Sequence, residues 1–154
     1  MRLALYQPDI PQNLGAAIRL AACLGLGLDV IEPCGFPLTD KALKRSALDY
    51  GGHLQLTRHA SLCAFCAAPE RDGGRLVLVE TDGATPFQDF SYSIGDTLIL
   101  GRESAGSPGE LYAAAQASVR IPMRSGLRSL NVVTAATVVL AEAMRQTGLW
   151  EKLN

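Results

Sequence analysis

Short apolar segments of strand type alternate with segments of helical periodicity along this chain, and the alternation restricts the fold more than any other feature. The predicted strands are LALY, LDVIEP, LQLT, RLVLVET, DTLILG and SVRIP. The predicted helices are NLGAAIRLAACLGL, TDKALKRSALDY, SLCAFCAA, PGELYAAAQA and SLNVVTAATVVLAEAMRQTG. Strands that are joined through helices pair in parallel, so the sequence predicts an α/β fold with a mostly parallel sheet flanked by helices.

The length and composition of the chain indicate one compact unit. Its 154 residues are 48% apolar and 19% charged, which is enough apolar material to bury a core. No repeat, linker or low-complexity tract interrupts the pattern, so we expect a single domain over residues 1–154. No apolar run approaches the roughly 20 residues that span a membrane. The first residues do not resemble a signal peptide, and the protein is therefore expected to be cytoplasmic.

The overall charge of the chain is weak evidence against a nucleic-acid partner. The formal net charge is −1, whereas nucleic-acid-binding domains usually carry a basic excess. The basic residues are nevertheless concentrated in two regions of the sequence. They are Lys41, Lys44, Arg45 and Arg58 in one region and Arg120, Arg124 and Arg128 in the other. Such local concentration is compatible with binding to RNA.

The four cysteines do not have the spacing of a metal or redox site. Cys63 and Cys66 form the sequence CAFC, but a zinc site would need a second close pair or paired histidines. Their spacing instead puts both on one face of a short helix, where we expect small buried residues. The sequence predicts no bound metal.

Polar, turn-forming segments follow several of the predicted strands. They are YQPDIPQN, ETDG, GRESAGSPG and IPMRSGLRSLN. Ligands of open parallel sheets bind beyond the carboxyl ends of the strands, so we expect the functional site among these segments. A phosphate-binding loop is excluded because Ser107 and Pro108 stand where the motif requires Lys and Ser or Thr. A serine-hydrolase elbow is excluded because Gly101 and Ser104 have the wrong spacing.

Three regions of the chain, in order, resemble the motifs of a known family. The first is LYQPDIPQNLGAAIRLAACLGLGLDVIEPCGF with DKALKRSALDY, the second is LILGRESAGSP, and the third is IPMRSGLRSLNVVTAATVVLAE. Together they resemble the SPOUT superfamily of RNA methyltransferases over essentially the whole chain. The small size and the segment RSALDY make the chain most similar to members that methylate the ribose 2′-hydroxyl of cytidine or uridine at the wobble position of tRNA, in particular of leucine tRNAs.

The resemblance implies a fold, a cofactor and an assembly. It implies a SPOUT-type fold with a C-terminal trefoil knot, although knots are otherwise essentially absent from proteins. It also implies S-adenosyl-L-methionine as the cofactor, tRNA as the substrate and a homodimer. The residues that match cofactor-binding positions are Val79, Gly101, Glu103, Gly106, Ile121, Met123, Ser129 and Leu130.

The resemblance further implies roles in catalysis and RNA binding. The catalytic positions are Arg19, Asn13, Glu103, Ser129 and Asn131, and the RNA-binding positions are Arg128, Lys41 and Arg45. A guanidinium stays protonated in proteins, so Arg19 suits binding of an RNA phosphate better than acting as a base. Glu103 is expected to orient Arg19 or to close the second motif loop, and Ser129 and Asn131 to position the ribose. Asn13 is also predicted to be the N-cap of its helix.

Four positions depart from the usual motifs of the family. Arg102 stands in place of proline, Ala105 in place of arginine, Ser107 in place of leucine and Ala141 in place of tyrosine. These departures bear on RNA contacts and on the dimer interface more than on cofactor binding. Two alternatives therefore stay open. One is 2′-O-methylation at another tRNA position or of ribosomal RNA, and the other is a non-catalytic RNA-binding relative that retains the fold.

Overall fold

The structure is a computed structural model, and it describes residues 1–39, 55–71 and 73–153. The strands are β1 (Arg2–Tyr6), β2 (Gly27–Ile31), β3 (Leu56–His59), β4 (Leu76–Val79), β5 (Thr85–Pro86), β6 (Thr97–Leu100) and β7 (Ala117–Arg120). The α-helices are α1 (Pro11–Cys23), α2 (Leu62–Cys66), α3 (Gly109–Ala114) and α4 (Val132–Thr147). Short 3₁₀ helices lie at Pro69–Arg71, Phe87–Asp89 and Trp150–Lys152.

The described strands form one sheet in the order β3-β2-β1-β6-β4-β7-β5, and each pair of neighbours is parallel. The residues of β2, β4 and β6 are buried throughout, as expected for parallel strands covered by helices on both faces. The predicted α/β class is therefore confirmed. The sequence did not predict β5, because two residues that end in a proline carry no apolar periodicity.

Helices cover both faces of the sheet, and each face has its own apolar cluster. Leu3 of β1 belongs to the larger cluster, together with buried residues of α1 and α4. The next residue, Ala4, points to the other face and belongs to the smaller cluster, with Phe65 of α2 and Leu111 of α3. The helices α1 and α4 thus lie on one side of the sheet, and α2 and α3 on the other.

The helix α1 begins at Pro11, two residues before the predicted start. Proline suits the first helical position because its φ is already fixed and the N–H that it lacks would be unsatisfied there. Ile10 is the residue that precedes the helix, so the prediction that Asn13 is the N-cap was wrong. Asn13 instead lies in the first turn of α1, where its side chain is buried.

The helix α4 ends before Gly148 as predicted, but it begins at Val132, three residues after the predicted start at Ser129, because Asn131 caps it. The Oδ1 atom of Asn131 accepts hydrogen bonds from the N–H of Val133 at 2.9 Å and of Thr134 at 3.2 Å. Gly148 follows the helix with a φ of 65°, in the left-handed region that favours glycine. Asn131 is therefore fixed at the point where the loop from β7 meets α4.

The cysteines differ from the prediction that they are small buried residues. Cys23, Cys63 and Cys66 are exposed free thiols, and Cys34 is half-buried. In α2 only Phe65 is buried, because a helix of five residues presents a single face to the sheet. Burial raises the pKa of the Cys34 thiol to about 11, so the thiol is protonated at neutral pH. Among the described residues, no group of His, Cys, Asp or Glu has the arrangement of a metal site.

One predicted helix lies mostly outside the residues that the structure describes. The helix predicted from TDKALKRSALDY falls largely in residues 40–54, so Lys41, Lys44 and Arg45 lie outside the described residues. The trefoil knot and the single domain over residues 1–154 stay predictions. Within the described ranges, no helix combines the length and the apolar character needed to cross a membrane.

Candidate active site

The carboxyl ends of three neighbouring strands, β6, β4 and β7, open into a cavity of about 450 Å³. Cavities of this size commonly bind small molecules. The cavity is bounded by the end of β4, the loop after β6, the loop between β7 and α4, and the first turns of α1 and α4. Its position agrees with the rule that parallel sheets bind ligands beyond the carboxyl ends of their strands.

The loop after β6 folds back on itself, and two glycines make this conformation possible. The N–H of Arg102 donates to the carbonyl of Gly106 at 3.1 Å, and the N–H of Gly106 donates to the carbonyl of Arg102 at 2.9 Å. Gly106 has a φ of 66°, in the left-handed region. A Cβ on Gly101 would overlap the Oγ of Ser107 and lie 2.8 Å from the carbonyl carbon of Gly106. Glycine at position 101 thus lets the backbone of this loop pass closely along the edge of the cavity.

The loop between β7 and α4 supplies a second wall of the cavity. Gly126 forms its turn with a φ of 85°. The residues of the loop that line the cavity are Ile121, Met123, Arg128, Ser129, Leu130 and Asn131. This wall therefore combines apolar side chains with a hydroxyl, an amide and a guanidinium.

A chain of hydrogen bonds connects three of the segments around the cavity. The Nδ2 of Asn131 donates to the Oδ1 of Asn13 at 2.9 Å, and the Nδ2 of Asn13 donates to the Oε1 of Glu103 at 3.0 Å. The Oε2 of Glu103 accepts from the N–H of Asp9 at 2.9 Å. We refer to Glu103, Asn13 and Asn131 as the polar network. It fixes the loop after β6, the first turn of α1 and the start of α4 relative to one another.

Glu103 and Asp9 have different tendencies to ionise. Burial raises the pKa of Glu103, and the neighbouring Asp9 side chain raises it further. Hydrogen bonding with Glu103 and with Ser104 lowers the pKa of Asp9, and the Ser104 hydroxyl donates to Asp9 Oδ2. Asp9 is therefore the member of the pair that ionises more readily.

Arg19 lies on α1 but is not among the described residues that line the cavity. It is exposed and follows Asn13 by six residues, which places the two side chains on different faces of the helix.

Glu103 accepts hydrogen bonds from Asn13 and from the N–H of Asp9. These contacts fit the expected role of Glu103 in closing the loop after β6.

The structure brings most of the predicted site residues together. All of the predicted cofactor-binding residues line the cavity, namely Val79, Gly101, Glu103, Gly106, Ile121, Met123, Ser129 and Leu130. Asn13, Asn131 and Arg128 line it as well. Arg19 lies apart from them, and Lys41 and Arg45 lie outside the described residues.

Two charged residues of the cavity were not assigned to a site from the sequence. Glu80 directly follows β4 and lines the cavity. Arg102 also lines it, and the Nε of Arg102 is buried without a hydrogen-bond partner among the described residues. The sequence signal for both is their position just after an apolar strand. That signal becomes useful only when the order of the strands in the sheet is known.

Comparison with protein families gives the classification of the chain. Residues 1–141 match the SpoU rRNA methylase family. The chain belongs to the SpoU rRNA methylase family. The resemblance to RNA methyltransferases that the three sequence motifs indicated is therefore confirmed.

Individual relatives align with this chain over most of its length. A tRNA (cytidine(34)-2′-O)-methyltransferase from Beijerinckia indica is 50% identical over 151 residues, which cover 98% of this chain and 94% of the relative. A structure solved for the 2-OH methylation of C/U34 on tRNA has a TM-score of 0.85 at 42% identity, covering 94% of both chains. The SpoU methyltransferase AviRb from Streptomyces viridochromogenes, solved in complex with AdoMet, has a TM-score of 0.81 at 30% identity. That match covers 95% of this chain and 60% of AviRb.

Proposed function

We propose that this protein is an S-adenosylmethionine-dependent tRNA methyltransferase that methylates the ribose 2′-hydroxyl of nucleotide 34. The observation that carries the proposal is the 50% identity to the Beijerinckia tRNA (cytidine(34)-2′-O)-methyltransferase, over 98% of this chain and 94% of the relative. The solved structure described for methylation of C/U34 supports the same activity at 42% identity. Cytidine is the nucleotide named for the relative, and acceptance of uridine and a preference for leucine tRNAs are finer parts of the proposal.

The residues of the cavity fit S-adenosyl-L-methionine. Because position 101 carries no Cβ, the backbone of the folded-back loop comes close to the cavity edge, where main-chain groups can recognise an adenine. Val79, Ile121 and Leu130 supply apolar surface next to that edge. When bound, the cofactor supplies an electrophilic methyl group on its sulfonium. The AviRb structure with AdoMet comes from the same family and supports this choice of cofactor.

The polar network is proposed to position the ribose for methyl transfer. The transfer requires the attacking oxygen, the methyl carbon and the sulfur to lie nearly in line, so most of the rate enhancement comes from alignment. Both carboxylate oxygens of Glu103 already accept hydrogen bonds, from Asn13 and from the N–H of Asp9. Glu103 therefore acts by holding Asn13, and the proton of the 2′-hydroxyl passes to an RNA phosphate or to water.

Basic residues around the cavity are proposed to bind the tRNA backbone. Arg128 is exposed and lines the cavity, so it can meet a phosphate next to the target nucleotide. Arg19 is assigned to an RNA phosphate next to the target nucleotide. From there its guanidinium would stabilise the negative charge that develops during methyl transfer. Lys41 and Arg45 are included on the strength of the sequence alone. Phosphate contacts position the tRNA and carry little sequence information, so they do not select the isoacceptor.

A homodimer is part of the proposal because Arg19 lies apart from the cavity of its own chain. The polar network, Ser129 and the cofactor-binding residues surround one cavity, whereas Arg19 is exposed on another face of α1. A second copy of the chain would bring a second Arg19 into the assembly. Dimerisation therefore offers a way to assemble all of the proposed catalytic residues around one substrate.

Incubation with labelled S-adenosylmethionine and total tRNA from a strain that lacks this protein tests the proposed function. We expect label on the ribose of nucleotide 34, located by nuclease digestion and mass spectrometry. Label on a base, or no label at all, would contradict the proposal. Ribosomal RNA from the same strain is the matched control, and label confined to it would favour the alternative of an rRNA 2′-O-methyltransferase.

A further inference from the structure

Glu80 is a carboxylate of the cavity that the polar network does not include. It directly follows β4, the central one of the three strands whose ends open into the cavity. Both of its main-chain groups are occupied, since its N–H donates to the carbonyl of Val119 at 3.0 Å and its carbonyl accepts from the N–H of Gly83 at 3.3 Å. The side chain is therefore the part of Glu80 that is available to a ligand.

One oxygen of the Glu80 carboxylate is held and the other is open. The Oε2 atom accepts from the N–H of Thr81 at 3.0 Å. The Oε1 atom has no hydrogen-bond partner among the described residues and lies next to the loop after β6, where a Cβ on Gly106 would be 3.4 Å from it. Asp82, two residues later, differs because its carboxylate accepts a hydrogen bond from the Tyr112 hydroxyl at 2.6 Å. Glu80 thus presents a carboxylate that is held through Oε2 and can accept hydrogen bonds from a ligand through Oε1.

Glu80 and the polar network approach the cavity from opposite faces of the sheet. Along β4, Val79 belongs to the apolar cluster under α1 and α4, and Leu78 belongs to the cluster under α2 and α3. The alternation places Glu80 on the side of α2 and α3. Burial, the hydrogen bond to Asp82 and the charge of Glu80 all raise the pKa of Tyr112 on α3, in agreement with this placement. The polar network, in contrast, is built on α1 and α4.

We infer that the Glu80 carboxylate accepts hydrogen bonds from the ribose diol of S-adenosylmethionine and thereby orients the cofactor. The 2′- and 3′-hydroxyls extend from the ribose ring in a different direction from the 5′-carbon that carries the sulfur. A diol held on the α3 side therefore leaves the methyl group free to face Asn13 and Asn131. Acidic side chains bind ribose hydroxyls in dinucleotide-binding α/β folds for the same chemical reason. The inference rests on the proposed function, since it presupposes this cofactor.

Titration calorimetry of the full chain with S-adenosylhomocysteine and with 5′-methylthioadenosine tests the inference. Both compounds contain the ribose diol, but only the first contains the amino-acid part. Glu80→Gln should weaken the binding of both by about tenfold or more, because hydrogen bonds to a charged acceptor are lost. Asp82→Asn is the matched control, since Asp82 does not line the cavity, and it should bind both compounds as the unmodified protein does.

Three results would overturn the inference. Unchanged binding of both compounds by the Glu80→Gln variant would show that the carboxylate makes no contact. A loss confined to S-adenosylhomocysteine would place Glu80 at the ammonium group. A further probe, 2′-deoxy-5′-methylthioadenosine, needs no variant: it should bind the unmodified protein more weakly than 5′-methylthioadenosine, and equal binding would also overturn the inference. If the unmodified protein bound no S-adenosylhomocysteine, the proposed function itself would fail, so the two failures are distinguishable.

Discussion

Asn13 illustrates how a single side chain can hold a site together. Its amide accepts a hydrogen bond from Asn131 and donates one to Glu103, so a residue in the first turn of α1 connects two loops that are far apart in the sequence. Asn13 is only 9% exposed. A buried polar group that loses its partner costs about 1–3 kcal/mol. Replacement of Asn13 would therefore affect Asn131 and Glu103 as well as the position itself.

Gly101→Ala should weaken cofactor binding while the protein still folds. The added Cβ would overlap Ser107 Oγ and lie 2.8 Å from the carbonyl carbon of Gly106, so the loop after β6 would have to open. We expect a loss of S-adenosylhomocysteine affinity of about tenfold or more, since overpacking costs about 1–3 kcal/mol. Gly109→Ala is the control, because a Cβ there meets nothing within 4 Å. Equal affinity of the two variants in titration calorimetry would exclude this loop from the cofactor site.

Arg19→Ala should abolish turnover and leave cofactor affinity nearly intact. Arg19 is exposed and lies apart from the cavity, and its proposed role is on the RNA side of the reaction. Loss of a group that stabilises developing charge lowers turnover by on the order of 100-fold or more. The measurement pairs tRNA methylation with S-adenosylhomocysteine titration, and Arg145→Ala on the exposed end of α4 is the control. A collapse of cofactor binding in the Arg19 variant would contradict its assignment to RNA.

At the scale of secondary structure, α4 is capped by a residue that also belongs to the site. The Asn131 side chain caps the helix through its oxygen and binds Asn13 through its nitrogen. The two functions use different atoms of one amide, so substitutions can separate them. The helix α1 differs, because Pro11 starts it and Asn13 is left free for the polar network.

Asn131→Asp and Asn131→Ala should have different effects on stability and the same effect on activity. Aspartate retains an N-cap acceptor but cannot donate to Asn13, whereas alanine does neither. Both variants lose the bond to the buried Asn13, and only aspartate keeps the N-cap, so we expect alanine to lower the free energy of unfolding by about 1 kcal/mol more than aspartate does. Both variants should lose most of the methyl transfer, because both break the polar network. Urea denaturation and the tRNA assay measure the two properties, and an active aspartate variant would show that the bond to Asn13 is dispensable.

At the scale of the whole molecule, the cavity depends on the order of the strands. The strand β4 lies between β6 and β7 in the sheet, although β5 and β6 follow it in the sequence. This order brings the segment after β4, the loop after β6 and the loop after β7 to one edge. Helices on both faces then enclose that edge, with α1 and α4 on the side of the polar network and α3 on the side of Glu80.

The proposed homodimer gives a prediction for the whole molecule. Sedimentation velocity at micromolar concentration should show a species of twice the 16.4 kDa mass of the chain. The physical reason is that Arg19 does not line the cavity of its own chain, whereas a second copy can bring its own Arg19 to the substrate. A single species of 16.4 kDa at that concentration would contradict the dimer.

Much of the fold and of the proposed cofactor site was predictable because it depends on local sequence patterns. Buried strands such as β4 and β6 are continuous apolar runs, and the ends of α4 are set by Asn131 and Gly148. The second and third motifs are continuous segments, and their resemblance to a known family assigned their residues to one cofactor site; these residues line one cavity. The family assignment follows from the same segments.

Other features were decided by which segments meet in space. The sequence of α1 favoured Asn13 as an N-cap, but Pro11 begins the helix and the Asn13 side chain binds Asn131, 118 residues away. The CAFC cysteines had the spacing of a buried face, yet the sheet accepts only Phe65 from that short helix. Glu80 was one acidic residue among many until the strand order placed it in the cavity. Local periodicity therefore determined the elements and motifs, whereas the parallel order of the strands determined the contacts between them.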